Sequence, residues 1–281
     1  MIAFAGNSLL CRMALKHTSV EHTSIDAASF TSIRIIAGAL TLWFIMRVRA
    51  STIGGGNALT HGSWPSAFAL FAYAACFSFA YVSLSAATGA LLLFGAVQFC
   101  MISYGFFNGE RFSARQWLGL VSAFAGLAGL LLPGLTAPPL LGSALMLCAG
   151  TAWGVYSLRG RKAGDATAVT AGNFLRAVPI TIALSMVVYL LAPQSNSIDT
   201  RGASYAIASG ALASGVGYAI WYTALRGLKA TTAATVQLSV PVIAAAGGIA
   251  FLGEVVTMRL LIASAAILGG IALVISSKRV S

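Results

Sequence analysis

The sequence predicts an all-α, polytopic membrane protein with ten transmembrane helices, arranged as two inverted five-helix repeats around a central cavity. The first observation is composition: 58% of the 281 residues are hydrophobic, 8% are charged, and the mean hydropathy is +0.88. A soluble domain is excluded because it needs about 25% charged residues to face water. The second observation is that the apolar stretches are long and unbroken, whereas a membrane β-barrel shows alternating segments of about ten residues. The third is an internal repeat.

Ten apolar stretches are each read as one helix that crosses the bilayer, which takes about 20 residues. Together they occupy roughly 200 residues, which leaves no room for a sizeable aqueous domain. The predicted helices cover residues 2–16, 25–46, 65–85, 87–107, 114–132, 138–158, 168–191, 202–225, 231–252 and 257–276.

Polar and turn-forming residues separate these stretches in chain order. The segment 47–65 is rich in Gly, Asn and Ser and predicts a loop, and 85–88 is a minimal break without charge. The segment 133–139 carries three prolines and a glycine in and around a tight turn, 159–165 is a basic turn, and 193–200 is a polar connection.

The positions of the basic residues predict that both termini are cytoplasmic. The net charge of +11 comes with basic residues in short connections, so the excess of Lys and Arg on cytoplasmic loops explains it better than nucleic-acid binding does. With the N-terminus inside, the outer side holds only Lys16, Arg201 and Arg259. The cytoplasmic side holds Arg47, Arg49, Arg111, Arg115, Arg159, Arg161, Lys162, Arg226, Lys229, Lys278 and Arg279.

The chain repeats itself at an offset of about 144 residues. Phe107-Asn108-Gly109-Glu110 matches Phe251-Leu252-Gly253-Glu254, and one Arg lies inside an apolar run at Arg34 and again at Arg176. We divide the chain into repeats at 1–135 and 136–281. Five helices is an odd number, so the second repeat enters the membrane from the opposite side, an arrangement that suits alternating access.

The sequence resembles the drug/metabolite transporter superfamily in its ten-helix EamA-type branch, and most closely the YddG-type aromatic amino-acid exporters. The resemblance rests on Gly6-Asn7-Ser8, on Arg34 and Arg176, and on the two Gly-Glu pairs. It implies that helices 1, 3, 4, 6, 8 and 9 surround a central cavity, and that the protein is a multi-pass exporter in the bacterial inner membrane.

Polar and aromatic side chains at mid-depth are the candidate substrate-binding residues, because polar groups in hydrocarbon are costly unless they face a packed interior or water. The alternative is that they bond neighbouring helices together. The candidates are Asn7, Tyr81, Gln98, Trp153, Tyr156, Ser214, Tyr218, Gln237 and Ser239.

A second set has structural or gating roles. Arg34 and Arg176 lie inside spans and either hold the fold by capping carbonyls or bind a substrate carboxylate. Glu110 and Glu254 either cap helix ends or pair with Arg111 and Arg259. A gating ion pair is the more specific interpretation. Pro179 and Pro241 are candidate bending points.

Close helix packing is predicted where small residues recur four positions apart. Ser122 and Gly126 in helix 5 match Ala266 and Gly270 in helix 10. Such faces pack either within one chain or between two chains, so the protein is expected to be a monomer or a weak dimer.

The residues that are missing narrow the function. No Asp or Glu lies at mid-membrane, whereas proton-coupled pumps carry such acids. We therefore expect a facilitator for neutral or zwitterionic solutes with apolar side chains, amino acids among them; other solutes, such as drug-like compounds or sugar phosphates, are the alternative. An intramembrane enzyme is disfavoured because no metal-ligand pair or Ser/His couple appears. The expected partners are a small-molecule substrate and the lipid bilayer, without nucleic acid, cofactor or metal.

Overall fold

The computed structural model describes residues 1–16, 25–53, 61–108, 111–134, 137–160, 164–193, 198–225 and 236–276. Within these ranges the chain is helical, and its extended pairing is a single antiparallel bridge between Ile25 and Ile198. Eight described helices are long and apolar enough to cross a membrane, and two shorter apolar helices accompany them. The predicted all-α, ten-helix membrane fold is confirmed.

We number the helices α1–α10 in chain order. Each of the first seven predicted stretches is a single α-helix, and α8 contains a π-helical stretch in its middle. The bounds are Ile2–Leu15 (α1), Ala27–Ile53 (α2), Trp64–Tyr81 (α3), Ala86–Phe107 (α4), Ala114–Leu131 (α5), Leu140–Gly160 (α6), Ala166–Leu191 (α7), Thr200–Ala208 with Ser209–Val216 and Gly217–Leu225 (α8), Ser239–Leu252 (α9) and Met258–Ser276 (α10).

Three boundaries differ from the sequence prediction by more than two residues. Helix α2 continues to Ile53, because residues 47–53 contain no Gly or Pro and the first glycine of the loop is Gly54. Helix α3 ends at Tyr81, which leaves the following residues to form a turn before α4. Helix α9 begins at Ser239, after a turn at Leu238, and residues 231–235 of its predicted range lie outside the described residues.

Serine residues begin several helices, as their capping preference predicts. The hydroxyls of Ser63, Ser85 and Ser113 each accept a hydrogen bond from the backbone N–H three residues later. At α5 the side chain of Gln116 also accepts a hydrogen bond from the Ser113 N–H, at 2.8 Å, which completes a capping box. These caps place α3, α4 and α5 after short connections.

Contacts between helix ends show that successive helices cross the bundle in opposite directions. We call the end at which α1 begins and α2 ends the near end, and the opposite end the far end. At the near end, Arg49 of α2 pairs with Asp165 before α7, with 3.4 Å between Nη2 and Oδ2. At the far end, the Ile25–Ile198 bridge joins the start of α2 to the start of α8.

The small residues of α5 and α10 pack against each other within the chain. A Cβ added at Gly126 would lie 2.8 Å from the Cβ of Ala266, and one at Gly270 would collide with the carbonyl oxygen of Gly119. The Ser122 hydroxyl donates a hydrogen bond to the Ala266 carbonyl at 3.2 Å. The close approach needs small side chains, so this face is used inside the monomer.

Candidate functional site

Five buried aromatic side chains meet between α1, α3, α6 and α8. We call this group, Phe4, Tyr73, Trp153, Tyr156 and Tyr218, the ring cluster. The Trp153 ring is central: its centroid lies 4.9 Å from those of Tyr73 and Tyr218, 5.6 Å from Tyr156 and 6.0 Å from Phe4. None of the five is more than 9% exposed. The cluster offers ring faces and edges to any solute that enters it.

Helical spacing explains how these rings converge. Trp153 and Tyr156 are three residues apart and share one face of α6, and Tyr73 and Phe77 are one turn apart on α3, with 5.5 Å between centroids. On α8 the π-helical stretch Ser209–Val216 precedes Tyr218. A π turn shifts the register of the following side chains, which is a frequent feature of functional sites.

Hydrogen bonds tie α1, α3 and α8 together beside the rings. The Asn7 side-chain amide donates to the Tyr73 hydroxyl at 3.2 Å, and the Ser209 hydroxyl donates to Asn7 Oδ1 at 2.5 Å. Asn7 and Ser209 are 3% and 0% exposed, so both bonds lie in a water-poor interior where an unmade bond is costly.

The Arg34 guanidinium is buried next to the ring cluster. It donates from Nε to the Ser214 hydroxyl at 3.2 Å and from Nη2 to the Tyr73 hydroxyl at 3.0 Å. Its carbon Cζ also lies 5.1 Å from the Tyr73 ring centroid and 4.9 Å from that of Phe77, within cation–π range. Arg34 is 1% exposed, and its Nη1 has no hydrogen-bond partner in the part of the chain that the structure describes.

The described acidic residues do not neutralise Arg34, because each of them binds a helix N-terminus. Asp26, Asp165 and Asp199 accept backbone N–H bonds at the starts of α2, α7 and α8, and Glu254 accepts the Ala86 N–H at the start of α4. The two described ion pairs are Arg12–Glu254 and Arg49–Asp165. Of the six acidic residues in the sequence, Glu21 and Glu110 lie outside the described residues.

Two cavities lie on the near-end side of the ring cluster. The larger, about 650 Å³, is lined by Arg49, Asp165 and Tyr222, among others. A narrow one of about 20 Å³ is lined by Tyr156, Asn173 and Tyr222. Tyr222 lines both cavities and lies one turn after Tyr218, and the narrow cavity reaches the ring cluster at Tyr156.

The middle of the bundle is occupied by the rings themselves. The sequence predicted a chamber there, and in this conformation the ring centroids stand 4.9–6.0 Å apart around Trp153. A solute must therefore displace these side chains to enter the centre. A separate cavity of about 240 Å³ lies between α4, α5, α6 and α10, is lined almost wholly by apolar side chains and opens to the apolar outer surface.

The far end is closed by a polar network that we call the far-end latch: Arg12, Lys16, Ala86 and Glu254. The Glu254 carboxylate accepts the Ala86 N–H, at 2.8 Å to Oε2, and pairs with Arg12, with 3.3 Å between Nε and Oε1. Arg12 also donates to the Tyr81 carbonyl at 2.8 Å, and Lys16 donates to the Leu252 carbonyl at 2.8 Å. The latch joins α1, α3, α4 and α9.

Backbone geometry turns Glu254 toward α4. Gly253 adopts a left-handed conformation with φ of 60°, and the Glu254 N–H donates to the Gly248 carbonyl at 3.0 Å. A glycine tolerates this conformation without the strain of a Cβ. Of the two alternatives given for Glu254, the structure shows a helix-end cap, at the start of α4. Its ion pair is with Arg12, whereas Arg259 donates to the Leu132 carbonyl at 2.6 Å.

The four remaining predicted binding residues are buried or half-buried outside the ring cluster. Tyr81 is buried at the far end, where its hydroxyl donates to the Ala86 carbonyl at 3.4 Å and its ring meets Phe77 edge-on. Gln98 in α4 and Gln237 before α9 are 2% and 5% exposed and so point into the bundle. The Ser239 hydroxyl donates to the Val236 carbonyl at 2.6 Å, which commits it to its own turn.

The predicted structural and gating residues occupy distinct positions. Arg176 donates to the carbonyls of His61 and Gly172, at 2.5 and 3.0 Å. Pro179 lies inside α7, and Pro241 lies in the first turn of α9, where a missing N–H disturbs few hydrogen bonds. Glu110 lies outside the described residues.

Sequence reasoning missed four residues of this region: Phe4, Tyr73, Ser209 and Asn173. Asn173 donates to the Tyr156 hydroxyl at 3.4 Å and accepts the Ser63 N–H at 2.9 Å. It is polar and seven residues inside α7, so depth alone was a signal that pointed to it. Phe4 carries no such signal, because an apolar ring in an apolar helix is compatible with lipid.

Known proteins resemble this chain in sequence and in fold. Residues 140–276 match the sequence profile of the EamA-like transporter family. The uncharacterized protein PA1977 of Pseudomonas aeruginosa is 51% identical over 278 residues, which are 99% of this chain and 92% of that protein. A protein of known crystal structure superimposes with a TM-score of 0.65 over 97% of this chain and 95% of its own, at 20% identity, which shows a shared fold.

Proposed function

Because this chain belongs to the EamA-like transporter family, we propose that it exports small metabolites, amino acids with aromatic side chains among them, by alternating access. Members of the family are membrane transporters of small solutes and not enzymes. What we propose beyond this is the kind of solute, the mode of access and the energy source.

The observation that carries the proposal is the ring cluster. It is buried between helices from both predicted repeats, and it combines wide aromatic faces with the hydroxyls and amide of Tyr73, Tyr218 and Asn7. Each well-placed ring pair contributes about 0.5–1.5 kcal/mol, so a planar or apolar side chain fits such a site. Aromatic side chains of amino acids match this chemistry.

Alternating access is supported by contacts that repeat at the predicted offset. Gly126 of α5 lies against Ala263 and Ala266 of α10, and Gly270 of α10 lies against Gly119 and Ala123 of α5. Residues 119, 123 and 126 each have their counterpart 144 positions later, at 263, 267 and 270. The two halves therefore pack as exchangeable partners in this region, which is what a pseudo-two-fold transporter needs.

The two ends of the bundle differ in this conformation. The far-end latch closes one end, whereas the cavity of about 650 Å³ opens at the near end. We propose that the near end is cytoplasmic, since the predicted cytoplasmic loops carry most of the Lys and Arg residues, and that the membrane is the bacterial inner membrane. The described conformation then corresponds to an exporter waiting to load from the cytoplasm.

We propose a facilitator rather than a proton-driven pump. The four described acidic residues all lie at helix ends and are hydrogen-bonded to backbone N–H groups. A proton relay through the membrane usually uses an acid inside a span. Without one, the net flux follows the substrate gradient.

Proteoliposomes test the proposal. Vesicles holding the purified protein and unlabelled phenylalanine should take up labelled phenylalanine by exchange, and the exchange should not respond to an imposed pH gradient. Protein-free vesicles give the leak. Accumulation above the phenylalanine gradient under a pH gradient would contradict the facilitator, and no exchange with any of a panel of aromatic and aliphatic amino acids would contradict the amino-acid substrate.

A further inference from the structure

We propose that Arg34 binds the carboxylate of the substrate, and that the carboxylate, not the ammonium group, is the head group the site requires. The substrate class is then monocarboxylates with an aromatic or apolar body, amino acids included. This inference rests on the proposed function, because it assigns the head group for the site whose rings would hold the body.

The buried positive charge of Arg34 calls for a negative partner. A guanidinium that is 1% exposed is costly to bury unless an anion accompanies it. The described carboxylates are engaged at helix ends, so within this part of the chain the partners of Arg34 are two neutral hydroxyls and two ring faces. A substrate anion supplies the missing charge.

The shape of the Arg34 guanidinium determines where a substrate carboxylate can bind. Ring contacts occupy the flat face of the Arg34 guanidinium, and the hydroxyls of Ser214 and Tyr73 take Nε and Nη2. The described residues leave the edge that carries Nη1 without a hydrogen-bond partner. Carboxylates bind guanidinium edges through paired N–H bonds, so this edge is suited to receive one.

The Tyr218 hydroxyl is a second donor that a substrate carboxylate can use. Among the described residues, the buried Tyr218 hydroxyl makes no hydrogen bond of good geometry, and the Tyr73 hydroxyl is its polar neighbour. Tyr218 lies one turn beyond Ser214, which binds Arg34, and is near enough to interact with the guanidinium electrostatically. A carboxylate has two oxygens, so one can accept from Nη1 and the other from this hydroxyl.

The ammonium group of an amino-acid substrate finds no matching charge in the described part of the site. Among the described residues no carboxylate faces the ring cluster, and Asn7 Oδ1 already accepts a hydrogen bond from Ser209. An ammonium can rest on a ring face, which contributes less than a charge pair in a buried site. A ligand without an ammonium should therefore bind at least as well as the amino acid.

Binding to the purified protein tests this without relying on transport. The ligands are 3-phenylpropionate, phenylalanine, phenylalaninamide and phenethylamine, which share a phenyl body and differ in the head group; calorimetry gives each Kd. We expect the two carboxylates to bind about tenfold or more tighter than the amide and the amine, with 3-phenylpropionate no weaker than phenylalanine, since a hydrogen-bonded charge pair is worth roughly one to two factors of ten.

Variants assign the effect to Arg34. Arg34→Lys keeps the charge and loses the planar fork, and should weaken both carboxylates about tenfold while leaving the amide unchanged. Arg47→Lys is the matched control, because Arg47 is on the same helix but exposed over the Trp43 ring. If Arg34→Lys fails to fold, Tyr218→Phe and the wild-type ligand series decide, with Tyr218→Phe weakening the carboxylates several-fold.

The outcomes separate this inference from the proposed function. Carboxylate binding that depends on Arg34, without amino-acid exchange in vesicles, upholds the inference and rejects amino-acid export. Amino-acid exchange combined with amide or amine binding within twofold of the carboxylates rejects the inference alone. Absence of binding by either carboxylate also overturns it.

Discussion

At the scale of single residues, Trp153 organises the candidate site. Its ring contacts four other rings from three neighbouring elements and its own helix. Trp153→Phe keeps an aromatic core but removes part of that contact area, so we expect the KM for phenylalanine exchange to rise roughly three- to tenfold, the equivalent of one or two ring contacts. The KM for a small aliphatic amino acid should change less. Trp117→Phe is the control, because that ring is 49% exposed; equal effects of the two substitutions would remove Trp153 from the site.

The same residues show how far sequence reasoning reaches. Depth and polarity selected Asn7, Trp153 and Tyr218, and the structure brings these together. Depth cannot select Phe4, because its environment is apolar whether it faces lipid or a core. It also could not place Ser209 next to Asn7, since a straight α-helix was assumed for α8 and the π-helical stretch changes which residues face inward.

At the scale of helices, the contact of α2 with α8 depends on Gly210. A Cβ there would collide with the Arg34 carbonyl oxygen and lie 2.8 Å from the Ala37 Cβ. Gly210→Ala should therefore force the helices apart and cost about 1–3 kcal/mol of stability, lowering the melting temperature in detergent. Gly129→Ala in α5 is the matched control, because open space surrounds that position and Ala favours a helix. A melting temperature unchanged by Gly210→Ala would show that the two helices do not pack as closely as described.

The start of α7 predicts a pH dependence. Burial raises the pKa of Asp165, but hydrogen bonds from the Ala168 and Thr167 N–H groups and the charge of Arg49 outweigh it, so the pKa lies below its usual value. A carboxyl whose pKa is lowered by folding stabilises the protein above its unfolded pKa, near 4, and loses that contribution as the pH falls through the folded value.

Asp165→Asn isolates that contribution, because Asn still caps a helix but carries no charge. Wild type should melt at a higher temperature than Asp165→Asn at pH 7 and at pH 5, and the difference should begin to shrink near pH 4 and vanish only below the folded pKa of Asp165. Salt should reduce it, since the ion pair with Arg49 is partly exposed. A difference that grows as the pH falls would contradict this account.

At the scale of the whole molecule, the two predicted repeats meet at ends that differ chemically. The sequence showed the two Gly-Glu pairs but not their partners, because Arg12 and Glu254 are 242 residues apart and only the fold brings them together. Local pattern therefore predicted the number of helices well. It missed which ion pair closes the far end, a contact that depends on long-range packing.

The far-end latch predicts how the conformation is held. Glu254→Gln removes the charge that pairs with Arg12 and weakens the bonds to the Ala86 N–H, so the far end should open more often, by roughly tenfold if about 1.4 kcal/mol is lost.

Cys11, which is fully buried beside Arg12 on α1, reports this opening. With Cys76, Cys100 and Cys148 replaced by Ala, a maleimide that cannot cross the membrane, added on the far side, should modify Cys11 about tenfold faster in Glu254→Gln than in the parent. Arg259→Gln removes a charge at the same end outside the latch and should leave the rate unchanged. Equal rates in all three proteins would mean that the ion pair does not govern access to the centre from this side.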